Sequence, residues 1–137
     1  MTRIWLNIRG LLALCTAIFI GAASANAQQN SPHIALKGGE SAELMNLFFI
    51  INCRSVMIGS PEVEILEGPA EVSLSVKEEP ILPRAQNCAN TVPGGKLLVA
   101  AKDVDEPKEG KLTFRVKYKA KSGDRQFSYT YIVSLFP

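Results

Sequence analysis

Along residues 111–119, Leu112, Phe114, Val116 and Tyr118 alternate with Lys111, Thr113, Arg115, Lys117 and Lys119. Successive side chains of a strand point to opposite faces, so a period of two predicts a strand with one buried and one wet face. Ala120-Lys121-Ser122-Gly123-Asp124 then turns the chain. Residues 125–136 return with Phe127, Tyr129, Tyr131, Val133 and Leu135 on one face. The pair reads as an antiparallel hairpin, with Gly123 supplying the positive φ of a short loop.

The same alternation recurs upstream. Val72, Leu74 and Val76 interleave with Ser73, Ser75 and Lys77, and residues 63–66 make a shorter strand closed by Glu67-Gly68-Pro69. Residues 42–52 read as one longer apolar strand. With residues 33–37 and 96–102, about seven strands separated by turn clusters predict an all-β chain, an Ig-like or fibronectin-III-like antiparallel β-sandwich. An outer-membrane barrel is the rival, because residues 129–136 resemble a terminal aromatic strand. It would need at least eight strands of roughly 9–11 residues, and 63–66 and 72–77 read as too short. No helix is expected.

Two features qualify the Ig analogy. No Trp remains beyond residue 27 to pack on a disulfide, and Cys88 falls in a loop. That loop, residues 78–95, carries Pro80, Pro83, Pro93, Gly94 and Gly95. Irregular stretches longer than roughly 12–15 residues are often binding loops, which makes Arg84 and Asn87 candidates for contact.

The first 27 residues are unlike the rest. Arg3 and Arg9 precede an apolar run over residues 11–21, which is shorter than the roughly 20 apolar residues of a stable membrane span. Ala25-Asn26-Ala27 then offers small residues to a signal peptidase, and Gln28-Gln29-Asn30 is polar. Cleavage after Ala27 is expected, leaving one domain, residues 28–137, in the periplasm or outside the cell with no stable membrane anchor. Cys15 lies within the apolar run and follows Leu14, which argues against a lipid anchor. Loss of Arg3 and Arg9 takes the formal charge from +2 to zero.

Cys53 and Cys88 remain, an even number in an oxidising compartment, and are expected to form a disulfide. As metal ligands they would lack helpers: His33 is the sole histidine, and there is no Cys-x-x-Cys spacing. No cofactor is expected. The strings Asn52-Cys53-Arg54-Ser55, Leu66-Glu67-Gly68-Pro69, Leu82-Pro83-Arg84-Ala85-Gln86-Asn87-Cys88, Val92-Pro93-Gly94-Gly95-Lys96, Arg115-Val116-Lys117-Tyr118 and Val133-Ser134-Leu135-Phe136-Pro137 resemble those of small exported, uncharacterised proteins of Gram-negative bacteria. The resemblance covers most of residues 28–137. It implies an exported Ig-like domain and brings no activity with it.

Catalytic chemistry finds little footing. A hydrolase needs a nucleophile beside a base, and His33 stands near the start of the exported part with no Gly-x-Ser-x-Gly. Glu62, Glu64 and Glu67 could suggest the paired carboxylates of a glycosidase, but Glu62 and Glu64 fall on the wet side of a short strand. The chain reads as non-enzymatic. Copper handling could recruit His33, Met45 and Met57, although Met45 sits in an apolar strand.

Charge is the more unusual feature. Residues 31–80 hold eight Glu against Lys37, Arg54 and Lys77, whereas residues 81–137 hold ten Lys or Arg against five acidic residues. Lys111, Arg115, Lys117 and Lys119, extended by Lys121 and Arg125, form a candidate binding face for an acidic protein or anionic envelope glycan. Nucleic acid is a poor partner in that compartment, and no outward aromatic residues interleave with these cations. A binding or adaptor module is the expected role. A purely structural envelope protein and a metal carrier or enzyme are the alternatives.

Overall fold

The computed structural model describes residues 30–137. The expected signal peptide, Cys15 and the expected cleavage site lie outside the described residues. Two strands dominate, β8 (Lys108–Ala120) and β9 (Gly123–Phe136), here numbered by their place in the chain. They pair without a break from Lys108↔Leu135 to Ala120↔Gly123. Only Lys121 and Ser122 remain for the turn, and Gly123 follows at φ +119°. The period-two pattern set this register, because a slip of one residue would send Leu112, Phe114 and Val116 to the wet face.

Around this hairpin the first sheet is completed in the order β1-β9-β8-β5. β5 (Met57–Glu67) lies antiparallel on β8, and β1 (His33–Lys37) lies parallel on β9. That parallel pairing departs from the all-antiparallel expectation. After Lys37 the chain turns at Gly38-Gly39 and enters the other sheet, so no hairpin dictates the partner of β1. Its register is set by packing, with Ile34 opposite Val133 and Leu36 opposite Leu135.

The second sheet has the antiparallel order β2-β7-β6, from β2 (Ser41–Leu47), β6 (Val72–Glu78) and β7 (Gly95–Ala101). Leu97, Val99 and Ala101 of its central strand are buried, as are Leu112, Phe114, Val116, Val133 and Leu135 of the first sheet, and all belong to one apolar cluster. The two sheets lie on either side of that core, an arrangement that fits the expected sandwich. A bulge between Glu43 and Met45 of β2 lets both Leu44 and Met45 pack partly against the core.

Three expectations change. The apolar stretch 42–52 is not one strand: β2 ends at Leu47, and β3 (Ile50–Ile51) and β4 (Arg54–Ser55) form a separate small hairpin. Asn52 and Cys53 turn it with φ of 51° and 58°. Asn visits that left-handed region at low cost, and so a turn can interrupt a run that reads as continuous by hydropathy. The strand at 63–66 is much longer, 11 residues, because irregular pairing between Ile58 and Glu62 carries the chain through Gly59-Ser60-Pro61. β5 is therefore long enough for a barrel strand, but β6 remains too short at seven residues, and the two open sheets also argue against a barrel.

The loop from 79 to 94 is also more ordered than its prolines suggest. Ile81 and Val92 bridge it with two backbone hydrogen bonds of 2.9 and 2.8 Å. Ile81, Pro83, Cys88 and Val92 are buried, and residues Arg84–Gln86 make one 3-10 turn. Gly94 lets the loop return past the end of β2, since a Cβ there would run into the Leu47 carbonyl oxygen.

Candidate functional site

Cys53 and Cys88 are bonded, with Cα atoms 5.5 Å apart. The bond ties the tip of the β3–β4 hairpin to the residue after the cap of the 3-10 turn. Asn87 caps that turn at φ 57°, its N–H donating to the Arg84 carbonyl at 3.0 Å. A backbone need thus accounts for Asn87, while Arg84 is exposed on the turn.

The nominated cationic face divides. Arg115 and Lys117 point outward from β8, and both meet Glu64 of the neighbouring β5, at 3.7 and 3.0 Å. The Lys117 ammonium, then the Arg115 charge, hold the Glu64 carboxyl below its usual range. Next to them Thr113 and Thr130 share a 3.2 Å hydroxyl contact. Glu64 therefore offsets the charge in the middle of the strand. Lys111, Lys119, Lys121 and Arg125 make no ion pair among the described residues.

Arg125 is placed differently from the rest of the patch. The register sets it opposite Tyr118, whereas Lys117 and Lys119 face Gln126 and Asp124. It borders a small cleft of about 340 Å³ beside Lys117 and Lys119. On its other side it borders a larger groove.

That groove, about 810 Å³, is open at the end of the molecule carrying the β3–β4 hairpin and the β8–β9 turn. The hydrophobic residues 48–51 line one part of it, Met57 and Ile58 another, and Tyr118 and Phe127 a third. Phe49 stacks on Tyr118 with ring centroids 3.8 Å apart and planes 15° from parallel, and on Phe127 at 5.7 Å. Phe49 thus covers the end of the first sheet's inner face, where the second sheet no longer reaches. The cover is incomplete. Ile51, Ile58 and Phe127 remain 65%, 51% and 46% exposed. Among the described residues, the only charged ones lining the groove are Lys121 and Arg125.

Comparison with protein-family models, with curated proteins and with solved structures finds no match.

The residues considered for copper are not gathered together. His33 opens β1 at one edge of the first sheet, level with Ile132, and Met57 opens β5 at the opposite edge, level with Ala120. Met45 belongs to the other sheet. Among the described residues no group of three His, Cys, Asp or Glu could hold a metal ion, and no helix is long and apolar enough to cross a membrane.

The groove is what the alternation pattern missed. Its one sequence signal is Phe48-Phe49-Ile50-Ile51, four apolar residues running into the Asn52-Cys53 turn. A run that ends in a turn has too little strand left to bury every side chain.

Proposed function

We propose that the chain is an exported, non-catalytic Ig-like domain that binds an anionic partner at its hairpin-bearing end. In constant-type Ig sheets, strands A, B, E and D form one sheet and C, F and G the other. Here β2-β7-β6 follow the order B-E-D and β5-β8-β9 the order C-F-G, with the first strand moved onto the last. That correspondence supports the Ig-like assignment. The disulfide, forming one covalent loop of the hairpin and the 79–94 segment, fits an oxidising compartment such as the periplasm.

The observation that carries the binding role is the exposed apolar groove with an unpaired cationic rim. Exposed apolar clusters rimmed by polar groups mark interaction sites more often than they mark scaffolds. Lys121 and Arg125, two of the nominated cations, are the groove's own charges. The expected partner is acidic.

Crosslinking in envelope extract tests this. A partner should be captured by the wild type, lost with Ile51→Asp, and retained with Lys111→Ala on the outer face. Absence of any partner for the wild type would leave the structural-protein alternative standing.

A further inference from the structure

Building on the reading that the hairpin-bearing end is the contact surface, we infer that the groove is a site for a single-chain anionic amphiphile, a long-chain carboxylate. The polarity of its lining is lopsided. Lys121, Ser122 and Arg125 cluster at the β8–β9 turn, whereas the lining at residues 48–51 and 56–58 is apolar, with uncharged Ser55 and Gln86 as the polar residues on that side. The Arg125 guanidinium lies 3.4 Å from the Ser122 hydroxyl, so a cation and a hydroxyl stand together, next in the chain to Lys121, where an anionic head would sit. Neither cation has an ion-pair partner among the described residues. The acid closest in the chain, Asp124, is level with Lys119 in the register.

The apolar part suits a chain. The rings of Phe49, Tyr118 and Phe127 lie within 15° of parallel and form one stack that lines the groove. Ile51 and Ile58 remain exposed beside it. A volume of about 810 Å³ falls in the usual range for small-ligand sites, roughly 300–1,000 Å³. A second copy fits less well: the groove lining has no acidic residue to meet the Lys121 and Arg125 of another copy.

Dodecanoate, dodecanol and acetate distinguish head from chain when titrated into the protein purified from expressing cells, followed by calorimetry and by the ring resonances of Tyr118 and Phe127. Dodecanoate should saturate one site and shift both rings, dodecanol should bind about tenfold more weakly, and acetate should shift neither. The double variant Lys121→Glu/Arg125→Glu should weaken dodecanoate about tenfold and leave dodecanol unchanged. These exposed positions leave the fold intact by circular dichroism. Equal affinity for acid and alcohol, or ring shifts with anionic phospholipid vesicles but none with free dodecanoate, would overturn the assignment. Capture of an acidic protein at this end without dodecanoate binding would overturn it too while sparing the binding role. Failure of both would remove both.

Discussion

The Phe49 ring lies 3.8 Å from that of Tyr118, centroid to centroid, and this contact joins the segment leaving the second sheet to the far end of the first. Phe49→Ala should therefore open the molecule at one end. Full removal of a buried Phe costs about 3–5 kcal/mol, and Phe49 is only half-buried, so a loss of about 2–3 kcal/mol is expected. A lower urea midpoint at constant slope would bear this out. An unchanged midpoint would mean the stack is an exposed ornament.

Cys53→Ser should destabilise by about 2–5 kcal/mol, the usual loss for a native disulfide in a small domain. Cys53 is exposed and Cys88 buried, so the variant strands a buried thiol under the 79–94 loop. Wild-type protein alkylated without reductant should show no modified thiol by mass spectrometry. Modification of both cysteines would refute the bond.

Gly94→Ala tests the close approach of loop and strand. Its Cβ would meet the backbone oxygen of Leu47, and backbone cannot swing aside as a side chain can. Overpacking of this kind costs about 1–3 kcal/mol. His33→Ala, on an exposed edge position, should change the midpoint by less than about 0.5 kcal/mol. A loss of function in the His33 variant with its fold intact would revive the metal or enzyme alternative.

Much of the fold was legible because alternation is a local signal that burial enforces. Leu112, Phe114 and Val116 read as one face and are that face; Val133 and Leu135 likewise. Alternation could not say where a uniformly apolar run breaks, so residues 42–52 read as one strand although Asn52 and Cys53 adopt positive φ. Nor could it foresee an irregular pairing that admits Pro61 to a strand, or a parallel β1. The cationic patch was legible on β8, but its neutralisation was not, because Glu64 reaches Lys117 only through the β5–β8 pairing. The groove depends on three segments distant in sequence, so no window could contain it.

Arg115→Glu/Lys117→Glu tests whether the outer face binds. Both side chains point away from the core, so the strand should persist, yet the change sets two new carboxylates against Glu64. A modest loss of stability is expected, with partner capture equal to wild type if the groove is the contact surface. Loss of capture at low salt would move the site back to the outer face of β8. Restoring Glu64→Lys in the same background should recover stability without altering capture.

The ion pairs also fix how stability should follow pH. Glu64 and Glu71 are held below the ordinary value of 4.5, chiefly by hydrogen bonds from Lys117 and Lys108. A carboxyl whose folded value is lowered stabilises above the unfolded value and loses that contribution as pH falls through the folded one. Lys96 and Lys108 are held above 10.5, the first chiefly by Glu43 and the second by Glu71. Their contribution is complete below 10.5 and fades as pH rises through the raised values. Tyr129 acts at the same limb: burial raises its phenol above 10.0, and forcing its ionisation opposes folding. Stability should thus be flat between about pH 5 and 9 and fall on both sides. Every one of these carboxylates and lysines is exposed enough to be screened, so the acid limb should shallow in high salt. Urea midpoints measured from pH 2.5 upward for wild type and Glu64→Gln/Glu71→Gln are decisive. The double variant should be less stable at neutral pH and converge with wild type at the acid end. Parallel curves across the whole range would show that these pairs contribute nothing to folding.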